Sequence, residues 1–149
     1  MPTVLITLLG CGKMGSAMLK GWLADPGLNA KFTIIEPHAD HLGWAEPHQQ
    51  VAIYSDCDAA IAAGAPVSAV IVLAVKPQMM NEAIAAFGPL RDNKTAFLTI
   101  AAGISTSWLK ARLGAHTPVM RAMPNTPAAI GKGVTAIYFD SAAADLAAL

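Results

Sequence analysis

A glycine-rich turn between an apolar run and a helix-like segment, close to the start of the chain, constrains the fold more than any other feature. The run Val4–Leu9 has the length and apolar character of a parallel strand buried on both faces. The turn has the spacing G-x-G-x-x-G at Gly10, Gly12 and Gly15. In dinucleotide-binding folds these glycines permit a tight turn, close backbone approach to a pyrophosphate and close helix–sheet packing. The stretch therefore predicts a strand–turn–helix unit whose helix N-terminus is suited to phosphate.

An acidic residue stands where a ribose-binding carboxylate is expected. Glu36 directly follows the apolar run Phe32–Ile35 and lies about 20 positions after Gly15. The glycine spacing alone is also found in tight βα turns of other α/β proteins. Here the strand, turn, helix, second strand and acid follow in the expected order, so we predict a dinucleotide site.

Strand-like and helix-like segments alternate along most of the chain. We predict strands at 4–9, 32–35, 51–54, 67–75, 95–100, 118–121 and 134–139, and helices at 14–23, 39–45, 56–63, 78–87 and 105–113. This alternation predicts an α/β fold of the Rossmann type, a doubly wound, mostly parallel sheet with helices on both faces. In the first helix we expect an inward face of Met14, Ala17, Met18, Gly21 and Trp22. The segment 123–127 contains two prolines, and we expect it to be irregular.

Composition limits the classes of partner. Of the 149 residues, 54% are hydrophobic and 13% are charged, and the formal net charge is zero. This suffices for one domain with a substantial core and gives no electrostatic basis for binding nucleic acid or a membrane surface. No apolar run is long enough to span a bilayer and no signal peptide is recognisable. Two cysteines, Cys11 and Cys57, do not form a disulfide framework, so we expect a reduced, cytoplasmic setting.

The last nine residues predict a further division of the chain. Residues 141–149 have the pattern of a helix that Ser141 could cap, with no Gly or Pro to end it. We therefore expect a dinucleotide-binding domain at 1–140, and at 141–149 the start of a helix that leads to a second domain absent from this sequence.

Two loops at predicted strand ends carry candidate positioning residues. Lys76 precedes Pro77, which favours an extended backbone and would hold the lysine at the mouth of a site. The alternative is an ordinary surface lysine. Pro124 and Pro127 bracket Asn125 and Thr126, whose side chains could position a substrate or a nicotinamide ring. The alternative there is a stiff turn that only redirects the chain.

Other potentially reactive side chains favour structural interpretations. Cys11 lies near a predicted helix N-terminus, which could lower its pKa, but a small side chain beneath a cofactor is the simpler interpretation. His38 and His41 lie three positions apart without a third ligand nearby, so we expect solvated histidines and no metal site.

Four segments of the chain closely resemble pyrroline-5-carboxylate reductases, which make proline by reducing a cyclic imine. The segments are Leu9–Gly15, Leu73–Gln78, Ala101–Ile104 and Arg121–Ala128. The resemblance covers the whole chain in order, and V-K-P and M-P-N-T-P are more specific than the glycine spacing. It implies a helical second domain that forms a homo-oligomer and supplies most imine-binding groups.

The resemblance also implies individual roles. Residues that would hold the pyrophosphate are Leu9, Gly10, Cys11, Gly12, Lys13 and Met14; further cofactor contacts would come from Ala74, Val75, Lys76, Pro77, Ile100, Ala101 and Ala102, and Asn125 with its loop would lie near the nicotinamide. No residue is assigned as catalytic with certainty. The imine, if it arrives protonated, needs no strong general acid from this stretch.

The sequence leaves the cofactor open between NADP and NAD. The family commonly uses NADPH, whereas Glu36 would bind a free ribose 2′-hydroxyl and repel a 2′-phosphate. An outward rotation of Glu36, with His38 or Lys13 meeting the phosphate, would reconcile the two. Two alternative functions also stay open, a related β-hydroxyacid dehydrogenase or imine reductase and a nucleotide-sensing module without chemistry.

Overall fold

The computed structural model describes residues 2–125, 132–139 and 143, and within them seven strands form a single sheet. The strands are β1 (Val4–Leu9), β2 (Ala30–Ile35), β3 (Val51–Tyr54), β4 (Val70–Leu73), β5 (Ala96–Thr99), β6 (Val119–Pro124) and β7 (Thr135–Phe139). Their order across the sheet is β3-β2-β1-β4-β5-β6-β7. The pairs from β3 through β6 are parallel, and β7 is antiparallel to β6. The predicted mostly parallel Rossmann-type sheet is confirmed.

Helices connect the parallel strands. They are α1 (Lys13–Ala24), α2 (Cys57–Ala62), α3 (Met80–Ala86) and α4 (Thr106–Leu113), with short 3-10 helices at Ala39–Leu42, Pro77–Met79 and Gly88–Leu90. The strand order reverses at β1, because β1 pairs with β2 on one side and with β4 on the other. At its end, Leu9 lies between Ile35 and Leu73. This reversal opens a crevice beyond the carboxyl ends of the strands, where ligands bind in open α/β sheets.

Successive residues of the central strands point to opposite faces, and each face has its own core. Leu9, Leu73 and Phe97 pack with buried residues of α2, α3 and α4 on one face. Leu8 and Ile34 pack with α1 on the other face. The strands are therefore apolar on both sides, as their nearly continuous apolar sequences predict.

The inward face predicted for α1 is partly wrong. Gly15 and Leu19 are its buried residues, and Gly21 is exposed. Met18 and Trp22 are half-buried and pack against the core, as expected. The prediction followed helical spacing from Met14, whereas the turn brings α1 so close to the sheet that Gly15 lies at the contact.

Three predicted segments differ from the structure at a boundary by more than two residues. The helix expected at 39–45 is a 3-10 helix, and β4 is shorter than the predicted 67–75. The segment 123–127 was predicted to be irregular, but β6 continues through Pro124, which pairs with Thr135 of β7. Proline is tolerated there because the pairing of β6 with β5 ends at Arg121. Residues 126–131 and the helix expected from Ser141 lie outside the described residues, apart from Ala143.

Candidate functional site

The glycine turn after β1 is shaped by two close backbone approaches. Gly10 has φ +84°, and a Cβ there would lie 3.0 Å from the Ala74 carbonyl group and from Val75 Cγ1. At Gly15 a Cβ would lie 2.8 Å from the Gly10 carbonyl oxygen. Side chains at these positions would push β1 away from β4 or α1 away from the turn. The predicted roles of Gly10 in a tight turn and of Gly15 in close helix packing are confirmed.

Gly12 and the N-terminus of α1 leave open space in front of the turn. Gly12 is the N-cap residue, no side chain caps the helix, and its first turn contains no acidic residue. A Cβ on Gly12 would meet nothing within 4 Å. The first amide groups of a helix lack intrahelical acceptors and carry partial positive charge. The turn therefore fits an anionic group such as a diphosphate.

The carboxylate of Glu36 is fixed against this turn by backbone amides. Its Oε2 accepts a hydrogen bond from the Cys11 N–H at 2.8 Å, and its Oε1 accepts one from the His38 N–H at 3.0 Å. The Glu36 N–H donates to the Tyr54 carbonyl oxygen at 2.9 Å. Backbone and side chain are both held, so the carboxylate lies beside the glycine turn, as the sequence order predicts.

A cavity of about 610 Å³ lies along the carboxyl ends of β1 to β4, and we call it the cleft. Of the predicted cofactor residues it is lined by Leu9, Gly10, Gly12, Glu36, Ala74, Val75 and Lys76. It is also lined by His38, which was considered for a phosphate contact, and by residues that the sequence did not single out for the site, including Ser55, Asp56, Met79 and Glu82. Two of these, Ser55 and Asp56, follow β3, the edge strand beside β2, so only the strand order brings them to the cleft.

Lys76 has the backbone conformation expected before a proline. Its φ and ψ are −60° and 146°, and its side chain is exposed where it lines the cleft. The 3-10 helix Pro77–Met79 begins at the next residue. The steric restriction that Pro77 imposes thus places Lys76 at the rim, between the end of β4 and the following helix.

Cys11 and the two histidines have defined contacts. The Cys11 side chain is fully buried, and this burial, together with the nearby Glu36 carboxylate, raises the pKa of the thiol despite a lowering contribution from Ser16. Burial favours the interpretation of Cys11 as a small structural side chain. His41 Nε2 donates to the Cys11 carbonyl oxygen at 2.6 Å, so His41 supports the turn rather than being only solvated. Within 2–125, 132–139 and 143, no group of three His, Cys, Asp or Glu side chains is placed to hold a metal.

Of the residues predicted to position the nicotinamide, Lys76 lines the cleft and Asn125 does not; the predicted cofactor contacts Ile100, Ala101 and Ala102 do not line it either. Ile100, Ala101 and Ala102 follow β5, and Ala101 is buried with its N–H donating to Thr99 Oγ1 at 3.2 Å. Asn125 Oδ1 accepts a hydrogen bond from the Val134 N–H at 2.9 Å, which ties the end of β6 to the start of β7. Thr126 lies outside the described residues. Other predicted contacts that do not line the cleft are Cys11, Lys13, Met14 and Pro77.

A second cavity, of about 440 Å³, lies at the opposite edge of the sheet, before β5 and β6. It is lined by residues 88, 91–93, 95 and 113–117. The C-terminus of α4 lies at this cavity, where Arg91 Nη1 donates to the Leu113 carbonyl oxygen at 3.4 Å. A helix C-terminus carries partial negative charge, which makes this edge less suited to phosphate than the glycine turn. The cleft is therefore the better candidate of the two cavities for binding a nucleotide.

None of the helices within the described residues has both the length and the apolar character needed to cross a membrane.

Comparison with known proteins finds relatives among oxidoreductases. A family model described as NADP oxidoreductase coenzyme F420-dependent matches residues 5–103, which include the glycine turn, Glu36 and Lys76. Pyrroline-5-carboxylate reductase of Pseudomonas aeruginosa is 31% identical over 138 residues, which are 93% of this chain and 49% of that protein.

Solved structures of similar proteins share the fold. A pyrroline-5-carboxylate reductase from Coxiella burnetii superposes with a TM-score of 0.76 at 26% identity, over 92% of this chain and 50% of its own. The pyrroline carboxylate reductase of Plasmodium falciparum, solved with NADP bound, has a TM-score of 0.70 at 20% identity, over 93% of this chain and 48% of its own. The chain thus spans about half the length of the relatives it matches.

Proposed function

Because this chain belongs to the NADP oxidoreductase family described as coenzyme F420-dependent, we propose that it is the cofactor-binding part of a pyrroline-5-carboxylate reductase. The reaction would reduce the C=N bond of 1-pyrroline-5-carboxylate, a cyclic imine, to give proline. The observation that carries the proposal is the cleft at the strand-order reversal, where the glycine turn and Glu36 lie together. Similarity to a reductase of this name over 93% of the chain supports the choice of reaction.

In this proposal the chain binds and orients the cofactor. Backbone amides around Gly12 and the N-terminus of α1 hold the diphosphate, Glu36 meets the adenosine ribose, and the loop from Ala74 to Pro77 contacts the remainder. A bound reduced nicotinamide supplies the hydride for the C=N carbon. Lys76, Asn125 and Thr126 are proposed as positioning residues, and no residue of this chain is assigned a proton transfer.

The substrate, the assembly and the location are part of the same proposal. Most imine-binding groups and the homo-oligomer contacts would come from the part of a longer protein that corresponds to the other half of the relatives. The division into a dinucleotide-binding domain at 1–140 and the start of a connecting helix at 141–149 is proposed with it. So is a cytoplasmic location.

Nucleotide oxidation tests the proposal. The longest natural form of the protein that contains this chain, and the chain alone, are mixed with NADH or NADPH and 1-pyrroline-5-carboxylate, with absorbance of the reduced nucleotide and proline as readouts. We expect both forms to bind nucleotide, and the longer form to make proline much faster than the chain alone. Turnover with a β-ketoacid but not with the imine would favour a hydroxyacid dehydrogenase, and binding without any turnover would favour a sensor.

A further inference from the structure

We infer that the adenosine end of the cleft selects NADH over NADPH, with Glu36 as the specificity-determining residue. The inference rests on the proposed function, because it concerns the same nucleotide site. Dinucleotide-binding folds generally bind a free ribose 2′-hydroxyl with an acidic residue after the second strand, and accommodate a 2′-phosphate with a basic one. The chain has an acidic residue at this place, and its surroundings decide whether it can move aside.

The Glu36 carboxylate is held in place from two directions. One oxygen accepts the Cys11 N–H at 2.8 Å and the other accepts the His38 N–H at 3.0 Å. A carboxylate has about four acceptor sites, so each oxygen keeps one for a ribose hydroxyl. Binding of a 2′,3′-diol therefore requires no rearrangement of Glu36.

An outward rotation of Glu36, which would make room for a 2′-phosphate, is opposed by the same contacts. The rotation would break both hydrogen bonds and leave the Cys11 and His38 amides without their acceptor. Lys13, considered above as a partner for the phosphate, does not line the cleft. His38 does line it, and its backbone amide donates to Glu36 Oε1, so the residue itself helps to hold the carboxylate in place.

The other charges of the cleft also disfavour an added phosphate. Asp56 and Glu82 line it together with Glu36, and the Asp56 carboxylate is fixed by the Ala59 N–H and the Ser55 hydroxyl, each at 2.7 Å. Lys76 is the lysine that lines the cleft, and it follows β4. Because β1 separates β4 from the β2 end that carries Glu36, the two strands lie about 10 Å apart. A 2′-phosphate would therefore meet carboxylates more closely than it meets Lys76.

Calorimetric titration of the purified protein with NADH and with NADPH tests the inference. We expect NADH to bind about 100-fold more tightly, because the 2′-phosphate of NADPH would be placed against like charges. Glu36→Gln should bring the two dissociation constants to within about tenfold, mainly by improving NADPH binding. Glu46→Gln is the matched control, since Glu46 is exposed and does not line the cleft, and it should leave the ratio unchanged.

The outcomes separate this inference from the proposed function. Equal or tighter binding of NADPH by the unaltered protein would overturn the selectivity while the proposed function stands. Failure to bind either nucleotide would overturn both. If Glu36→Gln does not fold, Asp56→Asn supplies the test, because asparagine retains a capping oxygen and removes one charge. It should reduce the preference for NADH by a smaller factor, and an unchanged ratio would contradict the electrostatic account.

Discussion

The region around the cleft and the edge of the sheet at β7 differ in how far the described residues enclose them. Beyond β1, β2 and β4 the chain forms a walled cleft, with Glu36 fixed by hydrogen bonds and Gly10 closely approached by the next loop. At the other end, every residue of β7 is exposed, including Ile137 at 60% and Tyr138 at 59%. The nucleotide end of the proposed site is thus formed within the described residues, whereas the end expected to meet the substrate is not.

In the proposed function, this difference would assign cofactor binding and substrate binding to different parts of the protein. The cleft lies where neighbouring parallel strands and the turns after them meet, and its glycine turn, its acid and its rim lysine all lie between residues 10 and 76. Asn125 instead holds the start of β7 through the Val134 N–H. Cofactor binding is therefore expected of this chain alone, and efficient imine reduction is not.

A matched pair of substitutions sharpens the comparison most strongly. Ile34 in β2 is fully buried and Ile137 in β7 is 60% exposed. Ile34→Ala should lower the free energy of unfolding by about 2–5 kcal/mol, because it removes buried methylene groups and leaves a cavity. Ile137→Ala should lower it by less than about 1 kcal/mol, the range of strand propensity at exposed sites. Urea denaturation measures both, and similar losses would mean that β7 is as well packed as the centre of the sheet.

Two glycine substitutions separate folding from binding within the turn. Gly10→Ala should destabilise the protein by about 2–4 kcal/mol, because it adds strain at φ +84° to a 3.0 Å approach to Ala74. Gly12→Ala should change stability by less than about 1 kcal/mol, since its Cβ enters open space, yet weaken nucleotide binding by about tenfold or more. Thermal unfolding and calorimetry distinguish the effects. Unweakened binding by Gly12→Ala would remove Gly12 from the phosphate site.

Removal of the N-cap of α4, which lies away from the cleft, should have a smaller effect on stability. Ser105 Oγ accepts a hydrogen bond from the Trp108 N–H at 3.1 Å and caps the helix. Ser105→Ala should lower the free energy of unfolding by about 1 kcal/mol without altering the dissociation constant for NADH. A large change in nucleotide affinity would show that the cleft and α4 are coupled, contrary to the division described above.

Lowering the pH should produce the smallest change in stability, and carboxylates at both edges of the sheet should contribute to it. Hydrogen bonds from the Ala59 and Lys94 amides lower the pKa values of Asp56 and Asp92, respectively. Their stabilising contributions are present above the unfolded aspartate pKa, about 3.9, and are lost as the pH falls through that value toward the lower folded values. The thermal midpoint should therefore decline below about pH 4. Asp92→Asn should reduce this decline, and an unchanged profile would contradict the assignment.

Much of the fold was predictable because local sequence and strand pairing agree. The apolar run before Gly10 predicted where β1 ends. The Lys76-Pro77 break predicted where the helical segment after β4 begins. Alternating segments were enough to predict the parallel sheet, and therefore which strand ends share an edge. The glycine turn and Glu36 were also predictable together, because spacing and order along the chain determine their proximity.

The remainder depends on tertiary contacts that sequence spacing does not record. Pro124 was expected to end regular structure, but it extends β6, because among the described strands only β7 pairs with β6 at this position. The contributions of Asp56 and Glu82 to the cleft follow from strand order and helix placement, and neither belongs to a recognised motif. The contact of His41 with the Cys11 carbonyl oxygen likewise joins residues far apart in sequence.

Backbone amide chemical shifts recorded by NMR during titration with NADH test the central claim most directly. If the cleft holds the dinucleotide, the largest shifts should occur at residues 10–15, at Glu36 and His38, and at residues 74–76. Shifts concentrated around Arg91 and His116 in the second cavity, or no saturable shifts, would contradict it.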